Sequence, residues 1–295
     1  MMQFSALATS LFLVAAAFAP QESGGSKPPV PVPKQPEFDK SSPEKHGMAI
    51  AEYADLFDSG WKDEVLQGRM TLFDAGGDSV ERRFSRMVYE RAKEGDKLII
   101  RFLAPAEIKG VSALTFENPG GSDDNWLYLP STKRVRRISG ANNTASFQGT
   151  EFTYEDLANL DPSEYEWRLF GEEDLVRGEE TTPVFRLEAR PTYKDTGYQR
   201  LTVYLHRERW TQERIEYFDK SGTLLKTRDS GDWKQFHDRF WRASKIEMKN
   251  HQTEKRTVLV TEKQFLDVAR YKSAKTGKWR SNLPESMFTT RSLER

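Results

Sequence analysis

From about Val65 onward the chain is divided by recurring turn signals. They read Gly76-Gly77-Asp78-Ser79, Glu94-Gly95-Asp96, Asn118-Pro119-Gly120-Gly121, Asp195-Thr196-Gly197, Asp219-Lys220-Ser221-Gly222 and Lys275-Thr276-Gly277. Between them lie runs rich in aliphatic, β-branched and aromatic residues, the composition of strands. Leu98-Ile99-Ile100-Arg101-Phe102-Leu103 is one such run, Val258-Leu259-Val260 is another, and Leu201-Thr202-Val203-Tyr204-Leu205 alternates aliphatic residues strictly. Consecutive strands on short turns make an antiparallel meander. No strand–helix–strand repeat occurs, which argues against a parallel sheet. The expected class is mainly β with a few helices.

Two helices are expected. Ser42 is a good N-cap, Pro43 suits the first helical position, and Glu44 favours the positive end of the dipole. Ile50, Tyr53, Ala54, Phe57 and Trp61 follow on one apolar face. That face packs on a sheet, covers a ligand cavity, or does both. A second, shorter helix fits Tyr154 to Leu160, with Thr153 as cap of a capping box that ends at Asp156.

The first 41 residues differ in kind. Leu11 to Ala19 is an apolar run ending in Ala17-Phe18-Ala19, the small-x-small form of an export cleavage site. Its n-region lacks Lys and Arg, and Pro20 follows the cut; the competing reading is a buried apolar segment. Residues 1–19 are expected to be a signal peptide. Residues 20–41, with six prolines from Pro20 to Pro36 and Gly24-Gly25, are expected to be a disordered linker.

Composition removes several functions. Lys plus Arg equals Asp plus Glu at 45 each, which argues against nucleic acid as a partner. There is no Cys, hence no disulfide, thiolate nucleophile, Cys-ligated metal or lipidated Cys. His46, His206, His237 and His251 show no metal-ligand spacing, and no nucleophile elbow, P-loop or dinucleotide fingerprint occurs. Asp123-Asp124 reads as a solvated turn, or as a weak cation contact lacking EF-hand spacing. No catalytic residue, metal or cofactor is expected.

The most specific stretch is Trp126 to Leu160, WLYLPSTKRVRRISGANNTASFQGTEFTYEDLANL. Trp126–Pro130 and Arg134–Ile138 read as two strands of a hairpin, joined through Pro130–Lys133. Phe147-Gln148-Gly149-Thr150-Glu151-Phe152 and Tyr154-Glu155-Asp156-Leu157 follow. The ordered W-x-Y-L-P, R-x-R-R-I and F-x-G-[ST]-x-F-x-Y-E-D pieces resemble the outer-membrane lipoprotein-sorting family, the LolA-like periplasmic carriers. The resemblance runs from about Ser42 onward, with its specific motifs in the early half. It implies a LolA-like lipid-binding domain over residues 42–295: an open, curved antiparallel half-barrel with the N-terminal helix and the short mid-chain helix as lid. It also implies a non-enzymatic, monomeric periplasmic carrier of lipoprotein acyl chains or lipid toward the outer membrane. Transient membrane contact and an inner-membrane transporter as partner come with it.

A carrier needs apolar volume, because each methylene shielded from water is worth about 0.8 kcal/mol. In-phase alternation marks Leu98, Ile100 and Phe102, Leu127 and Leu129, Leu201, Val203 and Leu205, and Ile215 and Tyr217 as candidate cavity-lining residues, with the opposite sheet face in solvent. The same residues would fill a closed core of a non-catalytic envelope module, and the strand pattern does not separate the two. Arg134, Arg136 and Arg137 admit three readings: a solvated strand face, a contact for lipid headgroups or an acidic partner, or ion pairs with Glu151, Glu155 or Asp156 that fix the fold.

Overall fold

The computed structural model describes residues 30–91, 94–121, 123–267, 271–272, 279–280 and 283–294. The expected signal peptide, the first half of the expected linker and the Lys275-Thr276-Gly277 turn lie outside them. Strands β1 (Asp63–Phe73), β2 (Ser79–Tyr89), β3 (Lys97–Ala104), β4 (Ser112–Phe116), β5 (Asp124–Leu129) and β6 (Arg134–Ile138) form one antiparallel meander. A second meander runs through β7 (Tyr165–Arg177), β8 (Glu180–Pro191), β9 (Tyr198–His206), β10 (Gln212–Asp219), β11 (Leu224–Phe236), β12 (Phe240–Asn250) and β13 (Arg256–Asp267). Pairing of β1 with β13 fuses them into one 13-stranded sheet whose edges are β6 and β7. A bulge at Gln67/Gly68 on that seam lets the sheet bend. A separate hairpin pairs β14 (Tyr271–Lys272) with β15 (Trp279–Arg280).

The turns follow their chemistry. Between β1 and β2, Gly77 takes φ +93°, which an L side chain rarely tolerates, and Asp74 Oδ1 accepts the Asp78 amide at 2.9 Å. The β5–β6 hairpin falls where the sequence places it, with Pro130 ending the first strand.

Helix α1 (Pro43–Phe57) begins as expected, with Ser42 Oγ accepting the Lys45 amide at 3.2 Å. It stops before Trp61, which packs in a different part of the core. Gly47 lets the helix press onto β7: a methyl there would lie 2.7 Å from the Leu169 nitrogen. Residues 30–41, part of the expected disordered linker, dock on the domain. Tyr53 Oη donates to the Pro33 carbonyl at 2.9 Å, Arg239 donates to the Pro31 carbonyl at 2.7 Å, and the Phe38 ring packs edge-on to Trp210.

Buried side chains form three clusters. One lies between α1 and the concave face of β7–β12, centred on Ile50, Leu187, Val203 and Ile215. A second lies on the concave face of β1–β5, centred on Phe84, Ile100 and Phe102. The third corrects the expectation that the other sheet face meets solvent. Ile99 and Leu114 on the convex side are covered by Leu283, Phe288 and Leu293 of the C-terminal segment. Lys97 Nζ on Glu285 (2.6 Å) and Arg101 on the Ser292 carbonyl (2.7 Å) hold that segment down. The physical reason is already in Leu98-Ile99-Ile100, which is continuous rather than alternating, as in strands buried on both faces.

Candidate functional site

A partly open cavity of about 850 Å³ lies between α1 and the concave face of the sheet. Ala51, Ala54 and Phe57 of α1 form one wall, and Leu66, Met70, Val88 and Ile100 of β1–β3 another. Val203 and Leu205 of β9, Ile246 of β12 and Leu259 of β13 complete the sheet side. Phe147, Phe152 and Leu160 enter from the 139–164 link between the two edge strands.

All ten candidate lining residues face the concave side, but they divide into two groups. Ile100, Val203 and Leu205 border the cavity. Leu98, Phe102 and Leu127 are buried in the β1–β5 cluster with Leu129 beside them, and Leu201, Ile215 and Tyr217 are buried under α1. The link fills the space beside the β1–β5 cluster: Phe147 stacks on Phe102 with ring centroids 5.7 Å apart, and Tyr154 packs edge-on to Phe147 at 5.5 Å.

The signature residues of this link act as an anchor. Gln148 and Gly149 turn the chain with φ of +52° and +75°, and Thr150 Oγ1 donates to the Phe147 carbonyl at 2.8 Å. Glu155 accepts from the Tyr193 hydroxyl (2.7 Å) and the Gly197 amide (2.9 Å), joining the link to the β8–β9 turn. Asp156 pairs with Lys226 of β11 at 2.5 Å, both side chains at most 2% exposed, and also accepts from Tyr198 Oη at 2.7 Å. The helix expected over Tyr154–Leu160 is a single 3-10 turn, Glu155–Leu157. Only half of the expected capping box forms: Asp156 Oδ2 accepts the Thr153 amide at 2.6 Å, but the Thr153 hydroxyl lies against Tyr198 Oη, the turn's cap is Tyr154 without a side-chain bond, and the chain leaves the turn at Ala158.

This geometry excludes the third reading of the basic strand. Glu155 and Asp156 are occupied as above, and Glu151 accepts from Asn250 at 2.9 Å. Arg137 instead pairs with Asp124 on the convex face. Arg134 and Arg136 are paired across the ladder with Leu129 and Leu127, so they share the concave face; both are exposed, lie outside the cavity wall and have no ion pair among the described residues.

The cavity also has a polar wall that strand patterning did not reveal. Glu64, 2% exposed, accepts from Arg86 (2.6 Å), Arg242 (3.0 Å) and Gln264 (2.9 Å). Asp96, Glu117, Asp123, Asp161 and Glu164 line another part of the wall. Burial and then the neighbouring Glu117 push the Asp96 carboxyl up to about 7. Burial, with Glu117 and Asp124 adding to it, takes Asp123 to about 7. Burial and then Asp123 and Asp161 take Glu164 to about 8. Asp123 thus belongs to the cavity rather than to a free turn. Arg228 and the tryptophans Trp233 and Trp241 also line it. The sequence signal for these was the density of Arg and Trp between Arg228 and Arg242.

The four histidines are engaged locally. His206 Nδ1 accepts the Glu208 and Arg209 amides (3.0 and 3.1 Å), His251 Nε2 meets Thr227 Oγ1 (2.8 Å), His237 Nε2 meets the Leu266 carbonyl (2.8 Å), and His46 packs near the Phe38 ring (5.8 Å). Among the described residues no group of three His, Asp or Glu is placed to hold a metal ion.

This chain shares its fold, a half-open antiparallel sheet wrapped around a helix, with several solved proteins. A LolA superfamily protein from Nitrosomonas europaea is 18% identical, with a TM-score of 0.60 over 82% of this chain and 97% of its own. A putative outer membrane lipoprotein-sorting protein domain from Vibrio parahaemolyticus is 33% identical, with a TM-score of 0.77 over 85% of this chain and all of its own. A DUF1329 family protein from Desulfovibrio piger is 26% identical, with a TM-score of 0.74 over 86% of this chain and all of its own. Residues 94–295 match a family described as an uncharacterized protein. No functionally curated protein matches the chain. The chain belongs to the outer-membrane lipoprotein-sorting family.

Proposed function

We propose that this protein is a non-catalytic periplasmic carrier that takes lipoprotein acyl chains or a lipid into its cavity and moves them toward the outer membrane. The observation that carries this reading is the 850 Å³ space between α1 and the concave sheet, walled by aliphatic and aromatic side chains. Its size suits a ligand site of ordinary volume, and its apolar lining rewards burial of methylenes. The lipoprotein-sorting name of the Vibrio relative supports the cargo class. The structural engagement of all four histidines supports a carrier over a hydrolase. Among the described residues no helix is long and apolar enough to cross a membrane. In this reading the carrier works as a monomer that touches the membrane transiently. It receives cargo from an inner-membrane transporter and presents the exposed Arg134 and Arg136 to headgroups or to that partner.

The test is binding of a fluorescent acyl probe by the wild type and by Ala243→Phe, which fills the cavity from β12 with apolar bulk. The variant is expected to melt within a few degrees of wild type and to bind about tenfold more weakly, one tenfold step being about 1.4 kcal/mol. A wild type that binds no acyl probe, or a folded variant that binds it unchanged, refutes the carrier reading.

A further inference from the structure

The cavity wall contains one cation that its apolar surroundings do not explain. Arg228 sits in the middle of β11, with Ile215 of β10 as its ladder neighbour on one side and Met248 of β12 on the other. Both neighbours are fully buried. Arg228 lines the cavity. Its Nη2 donates to Gln212 Oε1 at 2.5 Å, while its Nε is buried with no hydrogen-bond partner. No carboxylate pairs with it among the described residues.

The nearby carboxylates are committed elsewhere. Glu213, fully buried, is held by Arg177 and Arg209, each at 2.9 Å. Asp229 is held by both arms of Arg214, at 2.7 and 3.0 Å. Arg209, which also lines the cavity, is matched by Glu213, so among these groups Arg228 alone faces the space without a carboxylate partner among the described residues. A guanidinium beside aliphatic groups is costly unless its fork is filled, and the group that fills such a fork best is a carboxylate or phosphate. The Ser230 side chain, two residues along the same face of β11, also borders the space.

We infer that Arg228 is the headgroup subsite of the cavity, and that the natural ligand is an amphiphile with an anionic oxygen head, carboxylate or phosphate, docked on Arg228 with its acyl part along the apolar wall. This rests on the carrier reading and sharpens it: the cargo is selected by charge as well as by chain.

The experiment compares hexadecanoate, hexadecyl phosphate, hexadecanol and inorganic phosphate as ligands of the full chain by calorimetry. The wild type is expected to bind the two anionic amphiphiles about tenfold or more tighter than the alcohol, the effect of one charge-assisted contact. Arg228→Met should erase that preference, bringing the affinity for the two anionic amphiphiles to that for hexadecanol, and Arg228→Lys should retain part of it. Wild type that binds alcohol and acid alike overturns the inference while leaving the carrier intact, and this comparison needs no variant to fold. A folded Arg228→Met that keeps the preference overturns it too. Inorganic phosphate bound as tightly as hexadecyl phosphate assigns a free-anion site and overturns the headgroup role. Binding of none of the amphiphiles overturns the carrier reading and the inference with it.

Discussion

Replacing Lys226 by Met keeps most of the side-chain stem and removes its charge. Asp156 would remain 1% exposed at the side chain, still accepting from Tyr198 and Thr153, but without a counter-ion. Lys226 also lies 5.2 Å from the ring centres of both Tyr198 and Tyr217, and those cation–π contacts are lost as well. Breaking a buried pair by removing one partner costs about 3–5 kcal/mol, mostly the desolvation of the charge left behind. At ~2–4 °C per kcal/mol for a domain of this size, the melting temperature should fall by about 10 °C. In an Asp156→Asn background it is Lys226 that has lost its counter-ion, so the same Lys226→Met change removes an unpaired buried cation and should cost less than about 1 kcal/mol or be stabilising. The assay is a double-mutant cycle by urea unfolding, with circular dichroism as the probe. A Lys226→Met cost below about 1 kcal/mol, or the same cost in both backgrounds, would show that Asp156 and Lys226 do not hold the link to β11 as a coupled pair.

Two further outcomes follow from packing and charge. Gly47→Ala gains about 1 kcal/mol of helix propensity, yet its methyl would meet the Leu169 nitrogen at 2.7 Å and the Arg168 carbonyl carbon at 2.8 Å. A net loss of about 1–2 kcal/mol in urea unfolding is expected, and a variant as stable as wild type would mean that α1 does not press on the β7 backbone. Asp96, Asp123 and Glu164 titrate near 7, 7 and 8 in the folded protein, above their unfolded values near 4. The folded state therefore holds protons that the unfolded chain has released, so their stabilising contribution is complete below about pH 4 and is lost as pH rises to about 8. For Asp96 the move from 3.8 to about 7 sets a ceiling of ~4 kcal/mol at ~1.4 kcal/mol per unit, and cavity water reduces it to about 1–2 kcal/mol. Urea unfolding at pH 5 and pH 8.5 should show that decline and its partial flattening in Asp96→Asn. Stability that rises over this interval, or an unchanged slope in the variant, contradicts the assignment.

The meander was legible because it rests on local chemistry. Turn glycines and asparagines sit where φ must be positive or a side chain must cap a loop, and Leu201-Thr202-Val203-Tyr204-Leu205 alternates because one face is buried. The half-barrel came from the family signature rather than from the pattern, since Leu98 and Ile100 look the same in a closed core. What strand patterning misses is pairing across long sequence distances. Asp156 and Lys226 are 70 positions apart, and nothing local to LLKTRD marks its lysine as buried. The convex cover of Ile99 and Leu114 has the same character, although the unbroken Leu98-Ile99-Ile100 run carried a trace of it.

The polar wall bears directly on whether the sheet encloses a void or a closed core. In a closed core the Arg228 guanidinium and the carboxylates of Asp96, Asp123 and Glu164 would lie against apolar side chains without water, at several kcal/mol per unpaired ion. Glu64 escapes that cost through Arg86 and Arg242, but Arg228 has no such partner among the described residues. An open cavity leaves Arg228 within reach of water, and in the proposed reading an oxyanion replaces that water with a stronger bond. The unpaired Arg228 that makes this interior a poor core is therefore the feature that would suit it to an anionic amphiphile. An Arg228→Met protein that proves more stable than wild type while losing its headgroup preference would show stability being sacrificed for ligand recognition at this position.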